Sequence, residues 1–247
     1  MIYQGFATRD YLVLNCLKFE KSSSVLEIGV GTGSTAERII SRVRRFCGID
    51  ISVPLVDYLA RRYRDEKSVS IVAHNVCNGV SLNEKFDIIY SLDTLEHVTS
   101  PSNYFEFISV HLADEGLAFV TYPNESQEKH HGITWFGSKT ELFEVIDSGG
   151  LSVHGFYEIK SSLWHRIVER FLWRLPRSIV SKSGSLPQTF EQTRSFEILS
   201  SSGLKNKIFS CYACLVSRIA VLLPPFKFMP CPENISNRRL LMYLRRK

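Results

Sequence analysis

The chain has 247 residues, enough for one α/β domain with an elaboration or at most two small domains. Six cysteines, at positions 16, 47, 77, 211, 214 and 231, are scattered through apolar segments, which suits reduced core residues better than a disulfide framework. The net charge of +5 hides an asymmetry: residues 1–150 hold 14 Lys/Arg against 20 Asp/Glu, whereas residues 151–247 hold 16 against 5.

Residues 3–17 read as a leading helix. Strand signals follow near 25–29, 45–49, 69–73, 86–91 and 116–122, alternating with helix signals near 34–44, 54–64, 103–112 and 139–148. Such alternation predicts a parallel sheet with helices on both faces. Pro54 suits a first helical turn, Gly149 and Gly150 stop the helix whose last apolar residue is Ile146, and 151–159 reads as a sixth strand. Beyond residue 160 the pattern changes. Trp164, Ile167, Val168, Phe171, Leu172 and Leu175 fall on one helical face, with Arg166, Arg170, Arg174 and Arg177 interleaved on the remainder, before Pro176 disrupts the helix. Such a face closes over a substrate as a cap helix or, given the basic charge beside it, lies peripherally in an anionic membrane interface. Residues 181–188 and 200–203 read as loops. The apolar run 208–223 is helix-like, is broken by Ser217 and Arg218, and is too short to span a bilayer. With no signal-type start in residues 1–10, the expectation is a cytoplasmic protein, with peripheral membrane contact as a variant of it. Cys211-x-x-Cys214 is half a zinc site without a second pair; packing on a helix face is its other reading.

The first strand, Val25-Leu26-Glu27-Ile28, runs into Gly29, Gly31 and Gly33, three glycines spaced two apart. A strand, a Gly-rich turn and a helix in succession let a nucleotide-like ligand approach main-chain N–H groups that a Cβ would block. Asp50 follows at the tip of the second strand, about 20 residues on, where a carboxylate accepts hydrogen bonds from both ribose hydroxyls of an adenosine. Gly31, Gly33 and Ala36 also fit the dinucleotide pattern G-x-G-x-x-A, so a nicotinamide cofactor is one candidate. Glu27 points elsewhere. A carboxylate two residues before the first glycine repels a pyrophosphate and welcomes an amino-acid ammonium group, directly or through water.

Glu27-x-Gly29-x-Gly31-x-Gly33, then Ile49-Asp50, then Ala73-His74-Asn75-Val76, then Phe86 to Leu92 closely resemble the ordered motifs of class I S-adenosylmethionine-dependent methyltransferases. Leu95-Glu96-His97-Val98 and Ala118 to Asn124 extend the likeness over residues 20–160, on the ubiquinone-biosynthesis-type branch. The resemblance implies a Rossmann-like, seven-stranded mixed sheet with helices on both faces. Its last, antiparallel strand is supplied by 239–244, with 213–221 as the other candidate. The organisation is then a cofactor-binding core at 1–159, a helical basic cap inserted at 160–237, and the last core strand at 238–247. The family implies that Glu27, Gly29 and Gly31 face the methionine end of S-adenosylmethionine and that Gly33 completes the turn. Asp50 binds the ribose, Ile51 covers the adenine, Asn75 and Val76 meet the adenine edge, and Ser91 and Leu92 lie beside the sulfonium. Most relatives carry Asp where Asn75 stands, and an amide both donates and accepts there.

Methyl transfer from a sulfonium is an in-line displacement that needs alignment and, for a hydroxyl nucleophile, removal of a proton. Asp93 and His97, just after the fourth strand, are the candidate catalytic residues, with His97 as general base or as a structural histidine that braces loops. His131 and Trp135 are candidate substrate residues. The spacing of Asp93, Glu96 and His97, with His131 further on, also resembles the divalent-metal set of small-RNA 2′-O-methyltransferases, in which the ion would orient a diol. The first expectation for the acceptor is a small-molecule or lipid- or glycan-linked hydroxyl. A metal-assisted RNA methyltransferase and a non-catalytic relative of the fold are the alternatives. Against nucleic acid, the basic residues alternate with an apolar face rather than forming an open stripe.

Overall fold

A computed structural model of the chain describes residues 11–79, 82–124, 132–168, 170–171, 215–216, 219 and 222–247. The chain divides into two compact units, Leu14–Lys160 with Phe228–Lys247, and Met1–Val13 with Ser161–Lys227. Helical residues 11–16 form α1. The larger unit is built on strands β1 (Ser24–Ile28), β2 (Arg45–Asp50), β3 (Val69–Ala73), β4 (Phe86–Leu92), β5 (Leu112–Asn124), β6 (Leu151–Ser161) and β8 (Arg238–Arg246), with β7 (Phe226–Pro230) at one edge. The sheet order is β3-β2-β1-β4-β5-β8-β6-β7. Strands β1 to β5 pair in parallel, and β8 runs antiparallel between β5 and β6, with Thr121 opposite Leu241 and Tyr157 opposite Leu241 on its other side. Residues 239–244 thus take the place expected of them. The strand count is corrected from seven to eight, because 226–230, expected inside the cap, is extended and forms the edge strand.

Central strands β1 and β4 are near-continuous apolar runs because helices cover both their faces. Edge strand β3 is only half-buried. On one face Leu26, Ile28, Ile89, Val120, Tyr122 and Met242 pack against Tyr104, Phe105 and Ile108 of α4 (Pro101–His111) and Leu142 and Ile146 of α5 (Lys139–Ser148). Both helices start where the sequence dictates. Ser100 precedes Pro101, and its hydroxyl accepts from Asn103 N; Ser138 accepts from Glu141 N while Glu141 accepts from Gly137 N. Helix α3 is Val53–Arg62, with Pro54 in its first turn. The helix expected over 34–44 is shorter, with α2 confined to Ala36–Ile39 and a 3₁₀ turn at Ile40–Arg42. Extended Val43 hands the chain to β2 there, and Arg44 N and Arg45 N both donate to Ser23 O.

The smaller unit contains α6 (Leu163–Val168), begun by Ser162, whose hydroxyl accepts from His165 N. His165 and Val168 are buried, His165 lies against Phe226, and Trp164 Nε1 donates to Ile219 O. The apolar face expected to bury Ile167, Val168 and Phe171 together is therefore split, with Leu163, Ile167 and Phe171 66, 43 and 55% exposed. Leu172, Leu175 and the Cys211-x-x-Cys214 pair lie outside the described residues. No helix among the described residues is long and apolar enough to cross a membrane. Cys16, Cys47, Cys77 and Cys231 are free thiols, and burial pushes Cys47 up to about 11, so it packs as a neutral side chain.

His111 closes α4 with a ring between two backbone groups. Its Nδ1 lies 2.6 Å from Phe107 O and its Nε2 accepts from Leu82 N at 2.8 Å, a pattern that requires the neutral ring with its proton on Nδ1. Burial lowers its pKa from the usual 6.5. The unfolded chain therefore binds this proton more readily, so the stability His111 contributes is full above about pH 6.5 and is lost as pH falls through the lowered value. Urea unfolding from pH 7.5 to 5 is expected to show falling stability below pH 6.5, with a shallower fall in His111→Asn.

Candidate active site

The turn after β1 is made of backbone only glycine adopts freely. Gly29, Gly31 and Gly33 have φ of +77°, +53° and +73°. A Cβ on Gly29 would lie 2.3 Å from Thr94 Oγ1 and one on Gly33 2.7 Å from Leu59 Cδ2, whereas one on Gly31 would meet nothing nearer than Gly29 O at 3.9 Å. Two of these glycines thus serve packing, and Gly31 borders open space. Gly29 N and Val30 N donate to Ile49 O, which lashes the turn to β2.

Asp50 ends β2 beside this turn. Its Oδ2 accepts from Gly31 N at 2.8 Å and its Oδ1 from Ser52 N at 2.9 Å. One lone pair on each oxygen is used, leaving one on each for a diol. Ile51 is 70% exposed, an uncovered apolar side chain beside a polar strand end. Asn75 accepts from Cys77 N through Oδ1, a bond that leaves its N–H donors unused, and Val76 beneath it is buried. An adenosine fits this arrangement: a carboxylate for the ribose, an apolar lid, and an amide at the base edge.

Glu27 is buried within β1, and its Oε2 accepts from Tyr90 OH at 2.8 Å. The two are register partners across β1 and β4. Tyr90 was not singled out by the sequence reading; the available signal was that a carboxylate in a central strand requires a donor from a neighbour. Ser91 Oγ donates to Ile28 O and Leu92 is buried, so both serve the junction of β1 and β4.

Asp93 follows in the left-handed region, with φ of +53°. Its Oδ1 accepts from Thr121 Oγ1 at 2.8 Å and its Oδ2 from Arg239 Nη2 at 2.6 Å. Arg239, from β8, is a second residue that the sequence reading missed. Thr94 fills the space above Gly29, and His97 N donates to Thr94 O, so His97 stands one 3₁₀ turn further on (Leu95–His97), its side chain 60% exposed with Nε2 3.8 Å from Glu96 Oε1. Glu96 is buried, and its carbonyl accepts from Ile133 N and Thr134 N. A Cβ on Gly132 would lie 2.2 Å from that carbonyl oxygen.

The same segment is bolted at its other end by buried Asn124. Its Nδ2 donates to Phe136 O and Ile235 O, and its Oδ1 accepts from Phe136 N and Tyr122 OH, which uses the amide fully. Burial first, then the Glu96 carboxylate, pushes the Tyr122 phenol up, so it remains a donor. Trp135 lies between these anchors, its indole N–H buried with no acceptor among the described residues; Ile133 is 69% exposed. His131 lies outside the described residues. Among the described residues no group of three or more His, Cys, Asp or Glu side chains is gathered to hold a metal ion, and Asp93 faces a guanidinium.

Residues 4–154 match the family of methyltransferase domains. A ubiquinone biosynthesis O-methyltransferase of Coxiella burnetii is 23% identical over 153 residues, 53% of this chain, and the chain spans only 64% of that relative's length. Among solved structures, the [4+2]-cyclase SpnF aligns with a TM-score of 0.59 at 16% identity, over 97% of this chain and 81% of that one. Coclaurine N-methyltransferase bound to N-methylheliamine and S-adenosylhomocysteine aligns with a TM-score of 0.58 at 15% identity, over 97% and 70%. At these identities the structural matches speak for the fold, while the sequence match covers more than half of the chain. The chain belongs to the class I S-adenosylmethionine-dependent methyltransferase family.

Proposed function

We propose that the protein moves the methyl group of S-adenosylmethionine to a hydroxyl of a small or lipid-linked acceptor. The observation that carries this reading is the continuity between two features: a glycine turn tied to Asp50 and open at Gly31, and an exposed His97 linked to that turn through Thr94. The name of the Coxiella burnetii relative supports O-methylation.

The bound sulfonium supplies an electrophilic methyl. Asp50 holds the ribose with its remaining lone pairs, Ile51 covers the adenine, and Asn75 with Val76 meets its edge. Glu27, Gly29, Gly31, Ser91 and Leu92 shape the methionine end. His97 takes the acceptor proton, since imidazole is the side chain whose ordinary titration falls near neutral pH. Exposed Ile133, with Trp135 next to it, offers an apolar contact to an aromatic or prenylated acceptor, and His131 remains a candidate substrate residue.

A second reading, peripheral membrane contact, is favoured by one observation. Leu163, Ile167 and Phe171 recur at helical spacing and are exposed, with Arg166 and Arg170 exposed among them. Apolar insertion with basic flanks suits an anionic lipid surface, where each basic residue contributes about 1 kcal/mol.

Three outcomes are expected. S-adenosylhomocysteine at about 100 times its dissociation constant raises the unfolding midpoint by about 5–10 °C; Asp50→Ala removes most of the shift, and Gly31→Ala loses binding out of proportion to stability, whereas Gly29→Ala and Gly33→Ala lose stability first. In a radiolabelled methyl-transfer screen over hydroxyaryl, prenylated and RNA acceptors, His97→Ala lowers turnover about 100-fold or more while keeping that midpoint shift; wild-type turnover in this variant removes the base assignment. Sedimentation with phosphatidylserine vesicles carries the protein down, and Ile167→Glu with Phe171→Glu abolishes this; equal sedimentation of the double variant would sink the membrane reading.

A further inference from the structure

Among the described residues, Asp93 is the one non-glycine residue at the head of the site that enters the left-handed region, and four bonds hold it there. Its N–H lies 3.2 Å from Thr121 O and 3.1 Å from Thr121 Oγ1, and its two carboxylate oxygens take Thr121 Oγ1 and Arg239 Nη2. Positive φ is uncommon outside glycine, is tolerated best by Asn and Asp, and persists where the surroundings over-determine it. Thr121 is fully buried in β5 and cannot shift. Arg239 is delivered by β8, where Arg239 sits opposite Pro123, two residues after Asn237, itself at φ +61°. Its side chain is 27% exposed, and its Nε is buried without a partner among the described residues, a cost tolerated where the other arm of the guanidinium is needed.

The next residue, Thr94, is the one whose hydroxyl lies over Gly29 and 3.3 Å from Ile28 O. Its position depends on the direction in which the chain leaves Asp93. A contiguous set of contacts therefore runs from the last strand to the glycine turn: Arg239, Asp93, Thr94, Gly29. We propose that Arg239 is a positioning residue for the cofactor site: its guanidinium, through the Asp93 carboxylate, locks the left-handed turn after β4 and so fixes Thr94 against the Gly29 turn. Asp93 is then engaged on both oxygens as a structural anion, and proton removal is left to His97. This inference rests on the reading of the glycine turn as the S-adenosylmethionine site.

The test compares S-adenosylhomocysteine affinity, by calorimetry, with the unfolding midpoint of the ligand-free protein in the wild type, Arg239→Gln, Arg239→Lys, Asp93→Gly and the double variant Asp93→Gly with Arg239→Gln. Arg239→Gln is expected to weaken binding about tenfold. Arg239→Lys, which keeps the charge, recovers part of the loss. Glycine enters the left-handed region unaided, so the double variant binds as Asp93→Gly alone does. Unchanged affinity in Arg239→Gln with a lowered midpoint would reduce the pair to a stability element and overturn the proposal. So would additive losses in the double variant, which would mean that Arg239 acts on the ligand site by a route that does not pass through Asp93. If Arg239→Gln does not fold, Arg239→Lys decides: affinity equal to the wild type overturns the proposal, and affinity several-fold weaker at an unchanged midpoint sustains it. A wild-type protein that does not bind S-adenosylhomocysteine sinks the cofactor reading first and this one with it.

Discussion

Only a hydrogen atom fits on the Cα of Gly29, because the Thr94 hydroxyl occupies the place of a Cβ. This exclusion joins the loop after β1 to the loop after β4, two neighbouring parallel strands whose carboxyl ends form the crevice at the switch point of the sheet. Gly29 N and Val30 N are tied to β2 through Ile49 O, and Gly31 N to Asp50, so three strand ends are held in one arrangement before any ligand arrives. Donors aimed in advance need no reorganisation on binding, and binding energy is then available for alignment.

Two buried carboxylates of the larger unit, Glu27 and Glu158, are answered by neighbours of matching chemistry. Glu27 takes a phenol hydroxyl from Tyr90, and Glu158 takes the guanidinium of Arg238. An unanswered carboxylate at such depth would cost several kcal/mol. In both pairs the partner comes from the strand adjacent in the sheet, β4 beside β1 and β8 beside β6. Arg238 and Arg239, consecutive on β8, alternate in direction: the first serves Glu158 on β6 and the second Asp93 beyond β5. An antiparallel strand placed between β5 and β6 can reach both sides.

How legible the molecule was in its sequence follows from the same distinction. Strands β1 to β6 were readable because each is a short apolar run between turn signals, and α3 and α5 because caps and spacing agree. The glycine turn and Asp50 were readable because their chemistry is local. The helix after the turn was overread, since its periodicity carried no sign that Ser23 O would draw Arg44 and Arg45 into β2. Tyr90, Asn124 and Arg239 were invisible as partners because their roles are set by register: Glu27 faces Tyr90 and Pro123 faces Arg239 only once the strands are aligned. The amphipathic pattern of α6 was real, but one face was assigned where the helix uses two. Val168 and His165 turn inward while Ile167 turns out. A 3.6-residue period fixes which residues share a face, and with apolar residues spread this widely it does not say which way the face turns.

The division of labour between the halves of the sheet follows. Strands β1, β2 and β4 end in short turns tied to one another through Ile49 O, Asp50 and Thr94, with hydrogen-bonding capacity left on Asp50 and Asn75. The loop after β5 is long and is held at two anchors, the Glu96 carbonyl and the Asn124 amide, with Ile133 and Trp135 carried between them. Fixed ends with variable contents let side chains change without disturbing the cofactor turn, because the anchors bond to backbone groups and ignore what lies between. On the proposed function, acceptor preference belongs to the segment around Ile133 and Trp135, and the strain at Asp93 belongs to the boundary between the two halves, where the β8 arginine holds the chain at the angle that both require.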